Sequence, residues 1–317
     1  MIQEPRPHSI VFFGSGPFAS SPFRALVARG WVRTLVTQPD RETGRGRRTR
    51  RTLIAALADE VSVPVLQPHR LRDPETQTAL EKGRPELFVV ASYGRILPQA
   101  VLDIPAAGCL NVHPSLLPRH RGPSPVAGAI LAGDRETGVT IMLMAAKMDA
   151  GPILTQESAP LHGDDSTEVL TSRLSEQGAE LLLGTLPAWL AGELSPRPQD
   201  ESAATYTQLL TKEQGRLDWA KPAELLEREI RAFVPWPVAY TPWAEGVLRI
   251  FRATLISDRG TPDDRPGSIV RLEPNGIVVA TGSGLLSLLE VQPQGGRRMA
   301  AAEFVRGHPA IRSAMLG

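Results

Sequence analysis

The sequence has a single cysteine, Cys109, so no intrachain disulfide can form. Nor does any Cys/His cluster offer the ligand spacing of a zinc site, and no metal is expected. Flanked by Gly108 and Leu110 in an apolar run, Cys109 reads as a small core residue and not as a nucleophile. No apolar run reaches the ~20 residues that a membrane-spanning helix needs. Residues 1–9 hold prolines and charges but no apolar stretch of the kind a secretory signal carries. A cytoplasmic protein with no membrane partner is the expectation. Net charge is nearly absent too, +1 over 317 residues, so the molecule as a whole does not announce a nucleic-acid ligand. Fixed-period repeats and low-complexity tracts are missing. What remains is an ordinary globular composition and enough chain for about two domains.

Charge is unevenly placed. Six arginines fall at positions 41, 45, 47, 48, 50 and 51, with Gly44 and Gly46 among them. The glycines argue for a mobile loop and against a helix face. Such a run serves either as a solvated loop or as an electrostatic contact with phosphates, to which each guanidinium can make forked bonds. Residues 214–317 carry 13 Lys/Arg against 11 Asp/Glu, only a slight excess.

Hydrophobic periodicity divides the chain. Strands are expected at residues 9–14, 32–37, 63–66 and 87–92, and helices at 22–29, 53–60 and 74–82, with Asp73 as N-cap of the last. The continuous apolar run of residues 87–92 is typical of a strand buried on both faces. Further strands are expected at 109–112, 138–145 and 153–161, then a long helix over 167–190 capped by Ser166. Strands alternating with helices imply a Rossmann-like, doubly wound α/β domain. The turn Gly14-Ser-Gly-Pro17 lacks the third glycine of a dinucleotide fingerprint, and a proline follows Gly16 where a phosphate-facing helix should open. It is expected to shape one wall of a site at most. After Gly192 the texture turns polar, with Pro196 and Pro198, and reads as a linker. From Val247 short apolar stretches recur about every ten residues, the pattern of a small OB-like β-barrel. The expected domains are therefore 1–195, a linker over 196–213, and 214–317.

The most informative residues lie in Gly108–Pro118 and Met148–Leu154. Asn111 and His113 fall two apart near the end of a strand, so they point to the same side. An amide can donate to a developing oxyanion, and an imidazole can exchange a proton near neutral pH. Asp149, on a following loop, can orient the imidazole or relay the proton. These are the parts that acyl transfer to an amine needs. Taken alone, an Asn-x-His pair at a strand end is more often plain hydrogen bonding. His120 has no assigned role and is expected at the surface. Trp236, between two prolines, is read as a packing anchor in preference to a base-stacking platform.

The longer string tips that balance. Asn111-Val-His-Pro-Ser-Leu-Leu-Pro118, then Arg119-His-Arg-Gly-Pro-Ser-Pro125 and the later Asp149-Ala-Gly151, resembles the active-site signature of folate-dependent formyltransferases. Over nearly its whole length the chain resembles the bacterial methionyl-tRNA branch of that family. Thr37–Arg41 with Gly44–Gly46 is similar to its basic insertion loop, and Tyr93-Gly94 with Ile96–Pro98 to its folate loop. Gly133-Asp134 and Glu136–Met142 follow in the family's order. Thr205-Tyr206, Lys212-Glu213, Asp218-Trp219, Arg231–Pro237, Pro266-Gly267, Ala280–Gly284 and Gln292-Pro293 extend the likeness through the second half.

The resemblance implies transfer of a formyl group from 10-formyltetrahydrofolate to the α-amine of methionine on initiator methionyl-tRNA, with no metal. It implies Asn111, His113 and Asp149 as the catalytic set, and Ser115, Leu116, Leu117 and Pro118, with Tyr93, Gly94 and Leu97, along the folate. It implies Arg41, Arg45, Arg47 and Arg48 at the tRNA, with the 214–317 domain sharing that contact, and a monomer. Three positions depart from the family pattern and bear on the amine pocket. Pro114 stands where glycine is common, Ala150 where threonine is usual, and Gly14–Pro17 in place of a Gly-Thr-Pro-Asp-like turn. The alternatives are formyl transfer to an amino sugar nucleotide or another small amine, a hydrolase releasing formate, and an RNA-binding protein on an enzyme scaffold.

Overall fold

The computed structural model describes residues 8–43, 48–256 and 265–317. Its contacts form two compact units. The first comprises Met1–Pro125, Glu136–Pro160 and Leu170–Gln208, and the second Val126–Arg135, Leu161–Val169 and Leu209–Gly317.

The chain begins β1 (Ile10–Gly14), α1 (Ser20–Ala28), β2 (Val32–Val36), β3 (Arg41–Thr43), β4 (Arg48–Arg50), α2 (Leu53–Glu60), β5 (Val65–Leu66), α3 (Pro74–Glu81) and β6 (Leu87–Ala91). It continues with α4 (Gln99–Leu102), β7 (Cys109–His113), α5 (Pro125–Ala132), β8 (Glu136–Leu143), β9 (Ile153–Pro160) and α6 (Thr167–Leu190). Seven strands form one sheet in the order β5-β2-β1-β6-β7-β8-β9. The chain builds outward from β1 to β5, then returns to the other side of β1, as a doubly wound sheet does. β1, β2, β5, β6 and β7 are parallel, whereas β8 pairs antiparallel with both β7 and β9. Only nine residues join β8 to β9, too few for a parallel crossover, so the pair closes as a hairpin.

Alternation along the strands sorts the core. Val11 and Phe13 of β1, Phe88 and Val90 of β6 and Cys109 of β7 join one apolar cluster. Phe12 faces the other way, 5.4 Å from Phe23 of α1, ring centre to ring centre. Burying a side chain of that size contributes about 1.5–3 kcal/mol. Val112 of β7 also faces the other way, against α6, where Gly178 leaves room for it. Cys109 matches its expected role: it is buried, and burial, with the nearby Asp103 charge, pushes its thiol up to about 12.

Helix α2 matches its expected span, and Thr52 caps it by accepting from the Ala55 N–H at 3.2 Å. Asp73 occupies the N-cap position of α3 but makes no capping bond with its side chain. Ser166 Oγ accepts from the Val169 N–H at 3.3 Å at the start of α6. The arginine-rich stretch is not wholly a loop. β3 and β4 pair as a two-stranded ribbon, Arg41 opposite Arg50 and Thr43 opposite Arg48. Backbone pairing makes this ribbon, and an apolar period does not announce it. Arg45 and Arg47 lie outside the described residues.

The second unit continues with α7 (Ala223–Ala232), β10 (Ala239–Trp243), β11 (Gly246–Ile256), β12 (Ile269–Glu273), β13 (Gly276–Ala280), β14 (Leu285–Pro293), β15 (Met299–Ala300) and α8 (Ala301–Gly307). Its antiparallel strands follow the order β10-β11-β14-β13-β12, with β15 beside β14. Leu248 and Ile250 of β11, Ile277 of β13 and Leu286 and Leu288 of β14 are fully buried, and Leu226 and Ile230 of α7 are buried with them. The expected antiparallel β domain is therefore present. The packing anchor is Trp219, which is buried and donates from Nε1 to Thr241 Oγ1 at 3.0 Å. Trp236, expected in that role, is 52% exposed. Phe233, Val234, Val238 and Ala239 around it already take the buried positions.

Candidate active site

β7 presents a graded face. Cys109 sits in the apolar cluster, and the next two residues on the same face are Asn111 and His113, both buried. The 144–152 loop leaves β8 opposite Leu110 and folds back over this face. Leu143 N–H donates to Pro152 O at 2.9 Å, and Met144 N–H to Cys109 O at 2.8 Å. Gly151 makes the closure possible, since a Cβ there would lie 1.8 Å from Leu143 O.

The closure brings Asp149 to the pair. Asn111 Nδ2 donates to Asp149 Oδ1 at 3.4 Å, and His113 Nδ1 lies 3.9 Å from the same oxygen. The other carboxylate oxygen accepts from the Gly122 N–H at 2.7 Å. Asp149 itself takes φ +49, the left-handed region that few non-glycine residues enter. On the far side of the imidazole, Nε2 is 3.1 Å from His120 O. A carbonyl oxygen only accepts, so the proton of the neutral ring is on Nε2, and Nδ1 faces Asp149 as an acceptor. Burial holds the His113 pKa below its ordinary value, and the Asp149 charge opposes that shift. The ring is therefore neutral at neutral pH and able to accept a proton. The three residues expected to act together are brought together.

The residues expected along the folate are placed in two ways. Tyr93 and Leu97 are buried in the cluster shared with Phe13, and Leu117 packs against Met142 and Ile153. Ser115 is buried, and its hydroxyl donates to Arg119 O at 2.7 Å. These four side chains are thus buried within the fold. Leu116 and Pro118 are partly exposed, Gly94 is exposed at φ +74, and Ile96 stands 77% exposed in the same loop as Gly94. The Gly14–Pro17 turn meets this loop through the Ser15 and Gly16 N–H groups, which donate to Ser92 O at 3.1 and 3.0 Å. Arg41 and Arg48 lie on the β3–β4 ribbon. Among the described residues no group of three or more His, Cys, Asp or Glu could hold a metal ion, and no helix is long and apolar enough to cross a membrane.

Two residues were not anticipated. His120 is buried, not at the surface, because its N–H donates at 2.8 Å to Thr205 Oγ1, 85 positions later. Arg121 is fully buried and bonds to Gln199, Glu201 and Tyr206. The polar stretch after α6 supplies all these partners, and nothing local to His120 or Arg121 signals that it returns.

Known proteins resemble this chain over most of its length. The family described as formyl transferase matches residues 8–186, and the formyl transferase C-terminal domain matches residues 209–309. The methionyl-tRNA formyltransferase of Roseiflexus sp. (strain RS-1) is 50% identical over 303 residues, covering 95% of this chain and 93% of the relative. That of Methylococcus capsulatus is 47% identical over 300 residues, covering 94% and 96%. Among solved structures, the N-formyltransferase of Helicobacter canadensis in complex with folinic acid and dTDP-3-aminofucose superposes with a TM-score of 0.65 at 15% identity, covering 89% of this chain and 99% of that one. HypX of Aquifex aeolicus in complex with tetrahydrofolic acid gives 0.64 at 18% identity, covering 94% and 47%. At these identities the structures speak for the fold, while the full-length sequence relatives speak for the branch. The chain belongs to the methionyl-tRNA formyltransferase family and is a one-carbon group transferase.

Proposed function

We infer that this formyltransferase moves the formyl group of 10-formyltetrahydrofolate to the α-amine of methionine on initiator tRNA, for translation initiation. The observation that carries the chemistry is an amide donor and an imidazole acceptor meeting over one carboxylate. As the neutral amine adds to the formyl carbon, negative charge gathers on the formyl oxygen. Asn111 has two N–H groups. One points at Asp149, and the other is available to that oxygen. His113 Nδ1 takes the proton that the amine must lose, and Asp149 stabilises the imidazolium so formed. The proton then goes to the departing folate nitrogen as its bond to carbon breaks.

The residues at hand fit the formyl donor. Gly94, Leu116 and Pro118 offer backbone and apolar surface to a flat ring, and the loop backbones at 90–97 and 145–149 offer polar edges. Residues 1–195 would act as the catalytic domain and 214–317 as the tRNA-binding domain, in a cytoplasmic monomer. Arg41, Arg45, Arg47 and Arg48 would meet the tRNA acceptor end through phosphates, giving affinity with strong salt dependence and little base reading. Arg45→Ala should raise KM for tRNA and flatten the log–log salt dependence by about one unit. A loss of equal size at every salt concentration would remove Arg45 from the contact.

The reading is tested by offering free methionine and methionyl-tRNA as acceptors with 10-formyltetrahydrofolate. If most binding energy comes from the tRNA, only the charged tRNA is formylated at a useful rate. Efficient formylation of free methionine, or of a sugar nucleotide amine, would contradict it.

A further inference from the structure

The segment after α6 returns across the first unit as a strap and grips the loop that carries Asp149. Arg197 and Ile153 exchange both backbone hydrogen bonds at 2.8 Å. Gln199 Nε2 donates to the main-chain oxygens of Asp149 and Gly151, at 2.8 and 2.7 Å. Glu201 accepts from Lys147 Nζ at 2.6 Å. The strap thus touches the Asp149 loop before, at and after the catalytic carboxylate.

Arg121 holds the strap from below. Its Nε and Nη2 donate to Gln199 Oε1 at 3.0 and 2.8 Å, which leaves the Gln199 amide nitrogen pointing at the loop. Nη2 also donates to Glu201 Oε1 at 2.8 Å, and Nη1 to Tyr206 Oη at 3.0 Å. A buried guanidinium is costly unless paired, and Glu201 supplies the opposite charge. The bonds from Arg121 and Lys147 hold the Glu201 carboxyl down to about 2, so this clasp stays ionised throughout the working pH range. The residue after Arg121 is Gly122, whose N–H binds the Asp149 carboxylate. Both the main chain and the carboxylate of Asp149 are therefore held by groups that this one network fixes.

We propose that Gln199, seated by Arg121, is a positioning residue for Asp149, so that the strap after α6 is part of the catalytic apparatus. This rests on Asp149 acting in formyl transfer. Gln199→Ala should lower kcat by about 100-fold, the scale of a misplaced reacting group, with KM for donor and tRNA within about twofold. It should also move the acid limb of the pH–rate profile in the same direction as Asp149→Asn does, because in both variants His113 loses its carboxylate.

The test is a double-mutant cycle with Asp149→Ala, read by single-turnover formyl transfer. On that background Gln199→Ala should cost nothing further. If Gln199→Ala does not fold, Gln199→Glu is read in its place, since it keeps the acceptor for Arg121 and loses both donors to the loop. Losses that multiply in the double variant, a loss confined to KM, or wild-type kcat in a folded Gln199 variant would overturn the proposal while leaving Asp149 in place. Wild-type kcat in Asp149→Ala alone would overturn both.

Discussion

Asn111→Ala lowers kcat by about 100- to 1000-fold, the usual cost of one oxyanion donor, and leaves KM for both substrates nearly unchanged. The amide is buried on β7, and Asp149 holds it in orientation. It therefore needs little reorganisation when charge appears on the formyl oxygen. An interaction made mainly in the transition state lowers kcat and kcat/KM together when it is removed. Steady-state kinetics on a folded variant checks this. Turnover within a few-fold of wild type would remove Asn111 from the reaction.

Asp149→Asn produces a comparable loss, about 100-fold or more, with a pH signature that Asn111→Ala lacks. Burial lowers the His113 pKa and the Asp149 charge raises it. Replacing the carboxylate by an amide removes the raising influence, so the imidazole becomes a weaker base and the acid limb of kcat/KM moves to lower pH. Stability follows the same sign. A histidine whose folded pKa lies below its unfolded value contributes stability above the unfolded pKa, about 6.5, and loses it as pH falls through the folded pKa. With Asp149→Asn the folded pKa falls further, so the variant's melting temperature drops more steeply between neutral pH and pH 5. A pH–rate profile that moves to higher pH, or does not move, contradicts the assigned proton route.

The parts of the fold legible in the sequence are those whose apolar pattern is forced by burial. β1, β6 and β7 are buried at every residue; continuous apolar runs mark β1 and β6, and Cys109, Leu110 and Val112 mark β7. β3 and β4 carry no such pattern, since backbone pairing alone defines them. β10 holds Pro242 and looks unlike a strand, yet it lies at one end of the sheet order, where an unpaired N–H side tolerates proline. The antiparallel sense of β8 and β9 is legible only as the short span between them. Asn111 and His113 are readable because one strand fixes their spacing, and Asp149 through family likeness. The Gln199–Arg121 brace is not readable. Its partners are 78 residues apart, and a polar, proline-containing stretch looks like a linker whether or not it folds back.

The central claim is formyl transfer to methionine on initiator tRNA through the Asn111–His113–Asp149 site. Its most direct test supplies the protein with 10-formyltetrahydrofolate and a mixture of charged tRNAs, and follows the formyl group onto each. The account predicts formylation of initiator methionyl-tRNA and of no other, slowed about 100- to 1000-fold by Asn111→Ala. Consumption of the donor with no formyl on any tRNA would contradict it and point to a hydrolase or to a small-amine acceptor.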